Sequence, residues 1–347
     1  MTQLLPDRLD EFFAFARERH AVHLRRAAGR PWPWTDDPIL QRYRFTNIFR
    51  EKDRTTVWFR ENVRDPLRDD PAVLLATVLF RWFNRTATGE AIFRQLMVPQ
   101  DAYDDAQFTA WDHFLKHGNT EVLRAAIKSY CGKGPYVTGA YVILGQQGMS
   151  KLDGVLKCVG DFWKTEYDFG EGLVLDWRDM AHMLMDAKPG SYSLRCVWDW
   201  LRKVPYLGGF MAYEIVSDLR WTGLLSGAPD INTWANPGPG AARGLGRLRG
   251  SEWVVPGRAF KPVPKQQMLE EMRGILALSR KPEYWPQARA RKSLIYKGYE
   301  IDESLGRTTQ HWPAWEMREV EHALCESDKL QRLRKGEGRV KGTYSHA

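Results

Sequence analysis

Cysteine is scarce in this chain and widely scattered. Cys131, Cys158, Cys196 and Cys325 are the four among 347 residues, and no pair has C-x-x-C spacing. Neither a zinc site nor an iron–sulfur cluster is signalled, and the four read as reduced, buried thiols of a cytoplasmic protein. Long apolar runs are missing as well. The longest, such as Val73 to Phe80, falls far short of the ~20 residues that span a bilayer, so no membrane is expected among the partners. Met1 to Arg8 lacks the charged-then-apolar order of a signal sequence. No G-x-x-x-x-G-K-[ST] occurs, which leaves the chain without a Walker-type nucleotide loop. Alternating polar and apolar runs are sparse, limited to a stretch near 136 to 143, and no internal repeat is present.

The period of the helix dominates what remains. Hydrophobic residues make up 43% and aromatics 12%, ample for a core. The net charge of +8 and a pI near 9.2 favour a polyanionic partner. With 51 basic residues set against 43 acidic ones, a localised basic groove is expected rather than a coating. Helices are predicted over 7–28, with Leu9, Phe12, Phe13 and Phe15 or Ala16 inward, and over 44–60, 71–85, 88–97, 104–117, 120–131, 194–203 and 210–219. The expected organisation is one large helical domain over 1–330, in two lobes of about 1–130 and 131–330. A basic flexible tail, 331–347, would follow. The Gly- and Pro-rich stretch 226–250 reads as a functional loop.

The segment Arg44 to Trp58 carries the sharpest signal. As a helix it places Arg44, Asn47, Arg50 or Glu51, and Arg54 on one face, with Asp53 among them and Phe45, Ile48 and Phe49 opposite. Guanidinium forks match phosphate oxygens, so the stripe reads as a phosphate grip, against the alternative of a solvated ion-pair face.

The string R-x-T-N-x-x-R-x-x-D-R within it resembles the signature of the alpha-glutamyl/putrescinyl thymine pyrophosphorylase family. That family, which includes phage amino acid:DNA transferases, shares a helical domain with 5-hydroxymethyluracil DNA kinases. Further stretches look like the same family, in its order: Phe80-Arg81-Trp82-Phe83-Asn84, Thr138-Gly139-Ala140-Tyr141 and Gly209-Phe210-Met211-Ala212-Tyr213. Asp218-Leu219-Arg220, the glycine-rich run Gly238 to Gly244, and Arg318 to Glu326 complete the series.

Val204 to Ala212 resembles a degenerate helix–hairpin–helix of the DNA-glycosylase kind, L-P-G-V-G-x-x-T-A, with Tyr206 in place of the first glycine. A glycine turn opening a helix presents amides to a DNA phosphate, which makes Gly208 and Gly209 DNA-binding candidates. The implied fold is all-α and DNA-glycosylase-like. Asp218 and Asp230 follow the hairpin at positions where such a fold would carry a catalytic acid. Gly238, Gly240 and Arg243 look like a phosphate-cradling loop, with Tyr213 nearby in sequence as a substrate contact. In the C-terminal helix, a buried structural role is favoured over nucleophilic catalysis for Cys325 and His322. Trp58, Trp82 and Trp234 adjoin motifs and are the tryptophans most suited to base stacking.

The resemblance implies a phage enzyme of DNA thymine hypermodification, working in the host cytoplasm. An amino acid or polyamine would displace pyrophosphate from the 5-methylene carbon of pyrophosphorylated 5-hydroxymethyluracil in double-stranded DNA. A 5-hydroxymethyluracil DNA kinase would be its functional partner. Arg44, Arg50 and Arg54 would receive the pyrophosphate. Asp53 would orient them or hold a divalent metal, and Asp218 or Asp230 would take the proton of the incoming amine. Two alternatives stay open: a DNA glycosylase acting on a modified base, and a non-catalytic DNA-binding adaptor.

Overall fold

The computed structural model describes residues 4–97, 109–139, 148–168, 170–250, 263–286, 293–296, 299–302, 312–337 and 342–344. In chain order its helices are α1 (Pro6–Ala27), α2 (Pro38–Arg42), α3 (Arg54–Phe59), α4 (Val73–Phe83), α5 (Thr86–Met97), α6 (Ala110–His117) and α7 (Thr120–Cys131). There follow α8 (Lys151–Lys164), α9 (Trp177–Met185), α10 (Leu194–Leu201), α11 (Gly209–Leu219), α12 (Pro239–Leu248), α13 (Lys265–Leu278) and α14 (Met317–Arg334). Strands are confined to two antiparallel ribbons among the described residues, β1 (Tyr167–Asp168) with β2 (Val174–Leu175) and β3 (Ser293–Tyr296) with β4 (Tyr299–Asp302). The molecule is therefore mostly helical, as the periodicity predicts. Residues 140 and 141 of the Thr138 motif lie outside the described residues, as do 104–108 of the helix expected over 104–117.

Two compact units divide the chain, Met1–Asp53 with Ile231–Ala347, and Arg54–Asp230. The expected lobe boundary near 130 thus falls inside the second unit. In the first, Phe12 and Phe13 of α1 pack edge-on or tilted against Trp315, and Trp285 meets both Trp312 and Trp315. Small residues let α12 lie directly on α14. A Cβ at Gly240 would collide with the Cys325 thiol, and one at Gly244 with the Leu324 carbonyl. The expected phosphate-cradling loop at Gly238 to Gly244 is accordingly the start of a helix pressed on its neighbour. Arg243 is spent on Asp328 at 2.8 Å.

In the second unit, α4 is buried along its whole length and α11 along all but its first two residues. Trp82 belongs to this core and Trp234 to that of the first unit, which removes both as stacking platforms. Trp58 stacks on Phe80.

The helix expected over 44–60 does not form as one element. Tyr43 bridges Thr343, Arg44 to Phe49 is non-helical, and a single 3-10 turn covers Arg50–Lys52 before α3 begins; a π turn, Arg60–Arg64, then follows α3. Side-chain hydrogen bonds from Asn47 and Asp53 capture the local backbone and outcompete helix formation. The apolar phase is right nonetheless: Phe45, Ile48 and Phe49 are buried. The tail expected to be flexible is partly ordered. α14 runs to Arg334, and the 342–344 segment pairs with 42–44.

Candidate functional site

Arg19 organises the signature segment of the first unit. It lies on the inward stripe of α1 with Phe12, Phe15 and Ala16, a position where periodicity calls for an apolar residue. Its Nε donates to the carbonyls of Phe45 (3.2 Å) and Thr46 (3.0 Å), and its Nη2 to Phe45 O (2.9 Å) and Asn47 Oδ1 (2.7 Å). Asn47 Nδ2 donates in turn to Lys52 O (2.7 Å) and Asp53 Oδ1 (3.0 Å), and the Asn47 amide donates to the same oxygen at 2.8 Å. Asn47, expected to contact substrate, is thus the lock of the turn. The second carboxylate oxygen of Asp53 lies 3.7 Å from Arg50 Nε. Burial pushes the Asp53 carboxyl above its ordinary value, while Arg50 and the Asn47 amide pull it back.

α14 supplies the wall of this turn. Thr46 Oγ1 meets His322 Nε2 at 2.6 Å, the Thr46 amide donates to Glu326, and Arg318 pairs with Glu51 at 3.2 Å. Lys329 donates to the Arg44 carbonyl and covers the Phe45 ring. Cys325 is disfavoured as a nucleophile. Burial, then Glu321, Glu326 and Asp328, hold its thiol far above the ordinary range. Arg44 is exposed. Arg54 opens α3 in the second unit, so the four-residue stripe does not exist as one helical face.

The second unit places its motifs in two settings. One is buried. Arg81 grips Asp218 with two bonds, Nε to Oδ2 at 2.5 Å and Nη2 to Oδ1 at 2.8 Å, and Nη1 reaches Asn84 at 3.0 Å. Arg64 and Glu214 stand within 4 Å of the pair. Asp218, wholly buried, is a structural anchor rather than the expected proton acceptor. Asp230 is likewise occupied, with its two oxygens capping the amides of Leu194 and Arg195 at the start of α10. Tyr213 is buried within α11.

The other setting is exposed. α10 and α11 flank the hairpin at the residues the sequence predicts. Tyr206 adopts φ +64°, the left-handed conformation of the glycine it replaces. It is 50% exposed, and Phe210 is 53% exposed. Gly208 opens α11 with open space around its Cα, so a phosphate can approach the helix start.

Among the described residues no group of three or more His, Cys, Asp or Glu has the arrangement of a metal site. No described helix is long and apolar enough to cross a membrane.

The first unit thus carries a polar turn of arginine, amide and carboxylate, and the second a buried Arg81–Asp218 lock, both in a mostly helical protein. The profile of the family described as "5-hmdU DNA kinase, helical domain" matches residues 7–339, and the chain belongs to that family. It is also 26% identical over 250 residues to a protein of Bacillus phage SP10 named "5-hmdU DNA kinase"; this covers 68% of the chain and 35% of the phage protein. The chain therefore corresponds to about a third of that relative's length. No solved structure matches it.

Proposed function

We propose that the protein acts in thymine hypermodification of phage DNA, exchanging pyrophosphate for an amine on the 5-methylene carbon of modified 5-hydroxymethyluracil. The supporting observation is the Asn47-locked Asp53 carboxylate beside Arg50. In this reading Asp53 takes a proton from the incoming ammonium of an amino acid or polyamine. The freed nitrogen lone pair forms the C–N bond, the C–O bond breaks, and pyrophosphate leaves with the electron pair. Arg50 and Arg44 receive the growing charge. Burial makes Asp53 a stronger base than an ordinary carboxylate, which suits that task. The exposed hairpin at Gly208 holds a DNA phosphate without reading sequence, and a 5-hydroxymethyluracil DNA kinase supplies the phosphorylated substrate. The missing Walker loop fits a division of labour in which this chain does not itself bind ATP for phosphoryl transfer.

The test is nucleoside mass spectrometry after incubation with pyrophosphorylated 5-hydroxymethyluracil DNA and a mixture of amines. Arg50→Ala should fold, bind DNA nearly as well and lose amine transfer by ~10²–10³ in rate. Arg50→Lys should recover only part, since a point charge cannot reproduce the fork. The exposed aromatic hairpin also suits an adaptor without catalysis. Absence of any aminated nucleoside would favour that reading.

A further inference from the structure

Beside the Asn47 turn, in the same unit, three arginines approach one tyrosine with no carboxylate to neutralise them all. Arg26, at the end of α1, lies 4.7 Å from the Trp34 ring and 5.8 Å from the Tyr344 ring. Arg44 lies 5.6 Å from Tyr344. Neither Arg26 nor Arg44 makes an ion pair among the described residues. The third is Arg19. Only 3% exposed, it leaves its Nη1 without a hydrogen-bond partner, and its electrostatic neighbours are Tyr344, Asp53, Glu326 and Arg26. An unpartnered guanidinium N–H in a buried setting is costly, and a ligand oxygen would relieve it.

The tyrosine is held in place. Arg44 N–H donates to Gly342 O at 2.9 Å and Tyr344 N–H to Arg42 O at 3.0 Å. His23 senses the result. It is stacked on His20 and drawn down to about 3, first by burial and then by Lys52, Arg19 and Arg26. The charges that act on His23 are all cationic.

We propose that Arg19, Arg26 and Arg44, arrayed about Tyr344, form a binding site for a phosphate-type polyanion. Inorganic pyrophosphate and the phosphates of a DNA backbone share the chemistry it recognises: several oxygens with dispersed negative charge, matched by guanidinium forks. An anion here offsets part of the repulsion that Lys52, Arg19 and Arg26 exert on an imidazolium, so the His23 titration moves upward on binding while burial still holds it low. Naming pyrophosphate as a ligand rests on the amine-transfer reading. The site itself is tested by binding alone.

The experiment is calorimetric titration of the full chain with inorganic pyrophosphate and, separately, with unmodified duplex DNA, while NMR follows the His23 ring. Saturable binding is expected, with the His23 titration moving upward on saturation. Arg26→Ala should weaken binding by roughly tenfold or more, the scale of one charge-assisted hydrogen bond. Arg8→Ala, which removes the same charge from an exposed pair with Glu11, should leave it unchanged. Loss of pyrophosphate binding alone assigns the site to the leaving group, and loss of duplex binding alone assigns it to the DNA backbone. If Arg26→Ala binds both probes as the parent does, the site is refuted. Tyr344→Phe, which keeps the ring, should retain most of the affinity if the chain folds. Failed amine transfer with these binding results intact would count against the reaction and leave the site standing.

Discussion

At the scale of the residue, the same amino-acid types serve opposite ends. Asp53 is held by an amide at a half-buried turn, whereas Asp218 disappears into a two-bond grip from Arg81. Removing one partner of such a buried pair typically costs ~3–5 kcal/mol. Asp218→Asn should therefore lower the denaturation midpoint strongly while sparing turnover per folded molecule, as chemical denaturation and an active-fraction assay would show. Glu319 gives a pH signature. Burial, then Glu316, raises its carboxyl from 4.5 to about 8 in the folded chain. The folded state thus binds the extra proton between those values, and its contribution to stability declines as pH rises from about 4.5 to 8. Glu319→Gln keeps an acceptor for the Glu316 amide and should flatten that decline. Melting temperatures across pH 5 to 8 that fall in parallel for variant and parent would contradict this. Arg19 shows what single-residue reading missed. Its signal was in the sequence, a cation on the inward stripe of α1 between Phe15 and Val22, but its partners lie some thirty positions away.

At the scale of the element, helix existence was legible and helix context was not. The hairpin flanked by α10 and α11 could be read because glycine and proline punctuation is local chemistry. The helix expected over 44–60 failed because Asn47 and Asp53 redirect the backbone only when Arg19 and α14 surround them. Gly238 to Gly244 looked like a loop because glycine and proline weaken the helical signal. What they supply is contact distance, since α12 lies against α14 at Gly240 and Gly244. Gly240→Ala should destabilise by about 1–3 kcal/mol through overpacking. Cys325→Ala should restore much of that loss, because the thiol is the nearest obstacle and the Cys325 Cβ would stand at an ordinary 3.4 Å. Gly244→Ala faces the Leu324 carbonyl and has no such rescue. Thermal melts of Gly240→Ala, Gly244→Ala and the Gly240→Ala/Cys325→Ala double variant decide the matter, and a Gly240→Ala chain that melts like the parent would refute the close-packing account.

At the scale of the whole molecule, a net charge of +8 should appear as a steep salt dependence of DNA affinity. Gly208→Asp should weaken binding to all sequences alike, by placing a carboxylate at the start of α11, the phosphate contact proposed above. Fluorescence anisotropy at low and moderate salt tests both, and an affinity indifferent to salt would overturn the electrostatic account. The division into units was not readable, because contacts between the first fifty residues and the last hundred leave no trace in local pattern. That division sets an order of events during synthesis. Residues 54–230 form a continuous stretch and have their packing partners as soon as they leave the ribosome. Residues 1–53 emerge before that stretch, yet the helix that completes their core, α14, is translated only from Met317 onward. The signature turn must wait, half-assembled, until α14 has been made, which leaves it dependent on chaperones or a slow growth temperature.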